Sequence, residues 1–389
     1  MKSQLQSPSI KISEITQVTE KRIEALIEFP GDEPQRIYIE ASREVQSNAD
    51  TWLLLVLPIA MKLGFPIFID GKIDSLLSNN LENLKREYIL GNKSFKNISV
   101  ITDGDVTSEP RTTPRTASFF SGGLDSFYTA SIEPSVKSVI CVWGFDIPLQ
   151  NLASWDQLNK VAENFAQRRG HELTTVKTNL KTLSLGRLLW GRHYHGWALS
   201  AVAQALRPNF DAVLIPGDIE TFFAKWGTNG NLNALCSTSQ VRLSEHGTEP
   251  RVRKMIAIDQ IDNLAELRVC LKAGFKFLNC GECKKCRRTR LELDGSQSTT
   301  RPSGLEEKID TRIFAQQRIS KFEYTFLKED QMEIARIGTP GFGSLAWHLR
   351  RGRNRDIFCN LRDIVRNSFL GLLRSDNFRN KSTDKSARG

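Results

Sequence analysis

The sequence predicts an α/β protein built on a doubly wound parallel sheet, and three observations support this fold class. From Phe119 onward, short apolar runs alternate with helical patterns, which is typical of repeated strand-helix units. The segment Val136–Val142 is a nearly continuous apolar strand, as expected where both faces of a sheet are covered. Residues 121–126 form a Ser/Gly turn between a strand and a helix. We therefore expect a ligand beyond the carboxyl ends of the strands, where that turn lies.

The composition is that of a globular protein without membrane segments. The chain has 389 residues, 40% hydrophobic and 25% charged, so two or three domains are expected. The longest apolar run, Trp52–Met61, is too short to span a membrane, and no signal-peptide hydrophobic region follows Met1. These features predict a cytoplasmic protein with no membrane partner. They leave the oligomeric state open.

Residues 1–105 are predicted to form an N-terminal α/β module. Strands at 24–29 and 36–40 are joined by a Pro/Gly-rich turn, and a helix that Asn48 or the nearby Asp50 can cap follows them. No residue in this module suggests chemistry, so a scaffold or partner-binding role is expected. A linker, residues 106–116, leads into the next domain.

The second predicted domain, residues 117–293, contains the Ser/Gly turn, and a capping box at 154–157 is expected to start one of its helices. Residues 294–389 are predicted to be a basic, partly helical extension with a disordered end at 377–389. Residues 350–389 contain eleven Arg or Lys and four Asp. This tail is either a contact to RNA or DNA or a solvated chain end, and both interpretations stay open.

The Ser/Gly turn has the features of a phosphate cradle. Gly122 and Gly123 lack a Cβ atom, so the backbone can approach a ligand closely, and the N–H groups at a helix start are unpaired and favour an anion. Asp125 supplies a carboxylate that can share a phosphate-bound Mg²⁺. The turn lacks the Lys-Ser/Thr pair of a P-loop and the three glycines of a dinucleotide fingerprint.

The pattern S-G-G-x-D-S resembles the signature of the PP-loop ATP pyrophosphatases, which have an adenine nucleotide alpha hydrolase-like fold. The resemblance implies ATP and Mg²⁺ as cofactors and Ser121 and Asp125 as catalytic residues. It also implies that the backbone after the second strand receives the adenine edge. The nucleotide-binding residues implied are Ser121, Gly122, Gly123, Leu124, Asp125, Ser126, Trp143, Gly144 and Phe145.

Three further residues are candidates for the same site. Asp218, after the fourth strand, is either a second Mg²⁺ ligand or a helix N-cap. Arg251 and Lys254 can neutralise pyrophosphate, and their segment is similar to one in the 7-cyano-7-deazaguanine synthases, which implies a catalytic Lys254. An exposed basic helix turn is the alternative for both. His193 and His195 are expected to be packing or capping groups more than phosphate contacts.

Four cysteines predict a metal site in a reducing compartment. Cys280, Cys283 and Cys286 lie on one tight loop, and Cys270 lies nine intervening residues upstream. Four thiolates suit Zn²⁺, and the cluster resembles the zinc site of the deazaguanine synthases. An iron–sulfur cluster, which some PP-loop thiolation enzymes hold, is the alternative.

The resemblance implies an ATP-dependent adenylating ligase. A substrate oxygen would attack the α-phosphorus, pyrophosphate would leave, and a nucleophile would replace AMP. The first hypothesis is a deazaguanine-synthase-like reaction of a carboxylate with ammonia, as in queuosine biosynthesis. The alternatives are thiolation of a modified tRNA base and a non-catalytic nucleotide-binding or nucleic-acid-binding protein on the same fold.

Overall fold

The computed structural model describes residues 8–107, 109, 115–218, 230–270 and 278–360. These residues divide into two compact units. The first consists of residues 1–289 with 298–306, and the second of residues 290–297 with those from 307 onward. No helix in the described ranges combines the length and apolarity needed to cross a membrane.

The strands of the first unit are β1 Ile10–Thr19, β2 Arg22–Glu28, β3 Gln35–Ala41, β4 Ile67–Ile69, β5 Ile73–Asp74, β6 Val100–Ile101, β7 Asp105–Val106, β8 Thr116–Phe119, β9 Val136–Trp143, β10 Glu172–Thr178, β11 Ala212–Pro216 and β12 Arg242–His246. Ten of them form a mostly parallel sheet in the order β12-β11-β8-β9-β10-β3-β2-β1-β4-β6. β5 and β7 pair separately. The predicted α/β class is thus confirmed.

Helices connect most of the strands. They are α1 Ala49–Leu63, α2 Ser75–Gly91, α3 Leu124–Ile132, α4 Leu152–Arg169, α5 His195–Ala205, α6 Gly230–Leu235, α7 Arg251–Ile261, α8 Lys284–Gly295, α9 Ile313–Gln316 and α10 Lys321–Ile337, and residues 345–360 are also helical. The predicted cap at Asn48 is confirmed, since its side chain accepts from Thr51 N. The predicted capping box at 154–157 is wrong, because Asn151 caps α4 and accepts from Ser154 N.

The chain changes direction around β8. Strands β9 and β10 are added to the sheet in sequence on one side of β8. The chain then returns to the other side of β8, where β11 pairs with β8 and β12 pairs with β11. All four pairings in this part are parallel. In such a sheet the crevice between the two directions lies at the carboxyl ends of the strands where the order reverses. The turns after β8 and β11 therefore lie side by side.

The N-terminal strands belong to the same sheet. β3 pairs antiparallel with β10, with Val176 opposite Ala41. A buried ion pair also joins helix α1 to the segment that follows α5, since Arg207 Nη2 lies 2.6 Å from Asp50 Oδ2. The predicted linker between 105 and 117 is therefore not a boundary of the sheet. Hydrogen bonding to β3 gives β10 a paired neighbour in place of an open edge.

The second unit is helical in its described part. Its helix α10 begins after Ser320, whose hydroxyl accepts from Glu323 N, and ends at Gly338 in the left-handed conformation. Leu327 and Ile334 are its buried apolar residues. Most of the predicted basic tail, and the whole predicted disordered end, fall in residues 361–389, outside the described residues. The nucleic-acid contact stays a prediction.

Candidate functional site

The turn between β8 and α3 has the geometry of an anion-binding helix start. Gly122 has a φ of 73°, which favours glycine. Gly123 is the N-cap of α3, and no side chain among the described residues caps this helix. The N–H groups of its first turn therefore remain for a ligand. Ser126 Oγ donates to Gly123 O at 2.8 Å and lies 3.4 Å from Ser121 Oγ, so the two hydroxyls flank the turn.

Helix α7 brings two cations to this turn. Lys254 Nζ lies 2.7 Å from Asp125 Oδ1 and donates to Gly217 O at 2.7 Å, and Arg251 Nη1 lies 2.8 Å from Asp125 Oδ2. The Lys254 side chain is fully buried. The structure thus brings Asp125, Arg251 and Lys254 together, on the start of α3 and beside the end of β11. Lys254 is thus buried beside the turn, and the alternative of an exposed basic turn does not describe it.

The carboxyl group of Asp125 is held in its charged form. Burial alone raises the pKa of Asp125, but the charges of Lys254 and Arg251 outweigh burial and lower that pKa to about 2. Both carboxylate oxygens accept from these cations. The predicted Mg²⁺ role of Asp125 is untested by this geometry. In the structure, Asp125 orients Lys254 and Arg251.

Arg268 is a site residue that the sequence analysis missed. It is buried, with 9% of its surface exposed, and its backbone N–H donates to Gly122 O at 2.7 Å. Within the described ranges its guanidinium has neither a hydrogen bond nor an ion pair. Burial lowers the pKa of Arg268. The charge of Asp146 opposes this effect only in part, and a buried cation without a hydrogen-bonded partner in the described residues is costly, so its presence at this turn points to an anionic ligand.

Two adjoining cavities meet at the turn and share Ser121, Gly123, Asp125, Asp146 and Arg268 in their walls. The first has a volume of about 160 Å³ and is lined largely by apolar and aromatic side chains, including Phe120, Val142, Phe145, Ile147, His195 and Leu199. The second has a volume of about 210 Å³, and its basic lining consists of Arg251, Arg268, Lys285 and Arg288. The site therefore combines an apolar pocket, a helix start and a basic pocket.

The three predicted residues after the second strand of this domain lie in different surroundings. Phe145 lines the first cavity. Trp143 stacks on Trp155, with ring centroids 5.4 Å apart. Gly144 is buried and has a φ of 108°. The structure thus brings Phe145 alone of the three to the cavity wall.

The remaining predicted candidates also lie in different surroundings. Leu124 lines the second cavity, whereas Asp218 follows Gly217 outside the lining of both cavities. His193 packs against Phe95, as expected for a packing group. His195 lines the first cavity, and burial lowers its pKa, which favours the neutral imidazole at pH 7.

Replacing Gly144 by Ala is expected to destabilise the protein by about 2 to 4 kcal/mol. A Cβ atom there would lie 1.9 Å from the backbone oxygen of Thr178, at a φ that L-residues rarely adopt. Gly170→Ala is the matched control, because Gly170 also has a positive φ but has no atom within 4 Å of the added Cβ. It should cost about 1 kcal/mol. Urea unfolding of both variants measures the difference, and equal losses would contradict the close approach at Gly144.

The four predicted cysteines lie together and can hold a metal ion. Their sulfur atoms all lie within 4.8 Å of one another. Separations include 3.8 Å for Cys270–Cys283 and for Cys280–Cys286, and 3.5 Å for Cys283–Cys286. A tetrahedron with Zn–S bonds of about 2.3 Å has edges of about 3.8 Å, so the donor set fits one such ion. In a four-iron cluster each thiolate binds a different iron atom, which holds the sulfurs further apart.

The purified, reduced protein is expected to contain about one zinc ion, and Cys283→Ser should lose most of it. Removing one thiolate leaves an incomplete tetrahedron, and folding free energy is coupled to metal in such sites, so the melting temperature should fall as well. Cys359→Ser is the control, since Cys359 lies outside the cluster. Elemental analysis and thermal unfolding decide the outcome. Unchanged zinc content and melting temperature in Cys283→Ser would remove the assignment.

Comparison with known proteins found no matching family model, no similar curated protein and no similar solved structure. The resemblance to the PP-loop proteins therefore rests on the Ser/Gly turn and the cysteine cluster of this sequence.

Proposed function

We propose that this chain is an ATP pyrophosphatase of the PP-loop class, which adenylates an acceptor oxygen and releases pyrophosphate. The observation that carries the proposal is the buried guanidinium of Arg268, unpaired within the described residues, beside an uncapped helix start and a Ser-Gly-Gly turn. A polyphosphate supplies the negative charge that this arrangement lacks. The location at the reversal of strand order agrees with nucleotide binding.

The two cavities suggest how the nucleotide is divided. The apolar first cavity, with Phe145 in its wall, suits the adenine ring, and the turn suits the phosphates. Asp146 lines both cavities and makes no ion pair within the described ranges, so it is the better placed carboxylate for Mg²⁺ that accompanies a polyphosphate. Asp125 is engaged by Lys254 and Arg251.

The proposed reaction has two displacements. The acceptor oxygen attacks the α-phosphorus, and the bond from that phosphorus to the bridging oxygen breaks, so pyrophosphate leaves with the electron pair. Negative charge grows on the leaving group, where Lys254, Arg251 and the N–H groups of α3 neutralise it. A nucleophile then attacks the adenylated carbon and AMP leaves. The chain contributes positioning and charge neutralisation, as in other phosphoryl transfers.

The deazaguanine-synthase-like reaction, a carboxylate with ammonia, remains the first substrate hypothesis. Thiolation of a tRNA base and a non-catalytic binding role are the alternatives. The sulfur spacing of the cysteine cluster favours one ion, which supports the zinc-containing class over an iron–sulfur thiolase.

The test is product analysis with a screen of acceptors. The protein is incubated with ATP, Mg²⁺ and either small carboxylic acids with ammonium or tRNA, and nucleotides are separated by chromatography. AMP with pyrophosphate, stimulated by one acceptor, supports the proposal. ADP with phosphate would exclude it. If the protein binds ATP but forms no AMP with any of the acceptors, the result would favour the non-catalytic alternative.

A further inference from the structure

Most of the basic lining of the second cavity lies close in sequence to the clustered cysteines. Three of the four basic side chains there lie within two residues of a clustered cysteine: Arg268 is two residues before Cys270, Lys285 directly precedes Cys286, and Arg288 is two residues after Cys286. The fourth, Arg251, comes from α7. The positions of most cations in this cavity therefore depend on the geometry of the cluster.

Asn279 connects the backbone around Arg268 to the segment that contains Cys280. It is 1% exposed, and its Oδ1 accepts from Val269 N at 2.9 Å and from Cys270 N at 3.3 Å. Its Nδ2 donates to Leu267 O at 2.8 Å. The side chain thus fixes the backbone on both sides of Arg268 and lies next in sequence to Cys280. Such bonds orient the groups that a metal centre supports.

The same segment reaches the phosphate turn. The backbone N–H of Arg268 donates to Gly122 O, and two residues later Cys270 enters the cluster. A metal ion bound to four thiolates cross-links four points of the chain, and without it the sulfurs take up protons and share no common ligand. Loss of the ion should therefore release the constraint on Arg268, Lys285 and Arg288.

We propose that the metal centre is a positioning device for the anion site. The bound ion and Asn279 together hold the three cations around the second cavity, so a metal ion and a polyphosphate bind with positive coupling. Because coupling between two ligands is reciprocal, polyphosphate must also tighten the hold on the metal by the same factor. This inference rests on the proposed function, since polyphosphate is its ligand.

The first measurement compares pyrophosphate binding to metal-loaded and metal-depleted protein by calorimetry in the presence of Mg²⁺. We expect at least tenfold weaker binding after metal removal, within the usual range of coupling between sites. The second measurement needs no depleted protein. Zinc release from the loaded protein to a chromogenic chelator is followed with and without saturating magnesium pyrophosphate, and release should slow at least tenfold when pyrophosphate is bound.

The variant Asn279→Ala tests the positioning role, and Asn159→Ala is the control, because Asn159 bonds Glu163 within the same helix. With zinc bound, Asn279→Ala should bind pyrophosphate about tenfold more weakly, and its zinc release should no longer respond to pyrophosphate. A purely structural role would lower stability without removing that response. Asn159→Ala should match the wild type in both measurements.

Each outcome has a defined meaning. The coupling is overturned if the folded protein binds pyrophosphate equally well with and without metal, or if pyrophosphate does not change the rate of zinc release. Either result leaves the proposed function standing. If the depleted protein unfolds, the release rate of the loaded protein decides alone. Absence of pyrophosphate binding to the loaded wild type overturns the proposed function and the coupling with it.

Discussion

Arg268→Met is expected to lower ATP-to-AMP conversion by about 10²- to 10³-fold while making the ligand-free protein more stable. The guanidinium is buried and has no bonded partner within the described residues, so the nearby charge of Asp146 offsets its desolvation only in part. Methionine keeps much of the aliphatic volume and removes the charge, which should raise the free energy of unfolding by about 1 to 2 kcal/mol. Urea unfolding and AMP formation are the two measurements.

The opposite signs of these effects separate a ligand-binding role from a structural one. Arg192→Met is the matched control, because Arg192 is exposed, and it should leave both activity and stability near the wild-type values. If Arg268→Met retains full activity, or unfolds more easily than the wild type, the buried cation serves the fold. In that case the anion site loses its main support.

Asp125→Asn is expected to reduce AMP formation by about 10²-fold and to lower the free energy of unfolding by about 1 to 3 kcal/mol. The variant leaves the buried ammonium of Lys254 without this charged partner and removes the ion pair between Asp125 and Arg251. The stability cost follows from the structure, since a turn carboxylate exposed to solvent would have none. Asp156→Asn, at an exposed position, is the control and should change neither quantity.

The pH dependence of this stability difference has a defined sign. The pKa of Asp125 is lowered to about 2 in the folded protein, against roughly 3.9 in an unfolded chain. The carboxylate therefore contributes its full stabilisation above about pH 4 and loses it as the pH falls toward 2. The gap between wild type and Asp125→Asn should be the same at pH 7 and pH 5. A gap that closes between those values would mean that Asp125 is not paired as described.

Ser121→Ala separates the turn from the ion pairs. Ser121 is exposed, and both hydrogen bonds of its hydroxyl are long, at 3.4 Å. Removing this hydroxyl should therefore leave the melting temperature unchanged. Loss of AMP formation in this variant, with normal stability, would indicate a contact to the nucleotide. Release of ADP by the wild type would contradict the assignment whatever the variants do.

Much of the site could be predicted from the sequence because its signals are local. The turn Ser121–Ser126 needs only its own glycines and the helix that follows, and both features are readable in one short stretch. The three cysteines at 280–286 are equally local, and Cys270 joins them as predicted from a modest separation. The alternation of strands and helices after Phe119 gave the α/β class for the same reason.

Only the tertiary structure decided which residues share a site and which strands share a sheet. The pairing of β3 with β10 joins segments more than a hundred residues apart, and no local pattern specifies that partner. The sequence around Lys254 fits an exposed basic residue equally well, and only the packing of α7 shows that Lys254 is buried against Asp125. Arg268 carries no motif, and its meaning comes from burial without a bonded partner in the described residues. Local chemistry is set by neighbouring residues, whereas burial and long-range contacts exist only once the chain has packed.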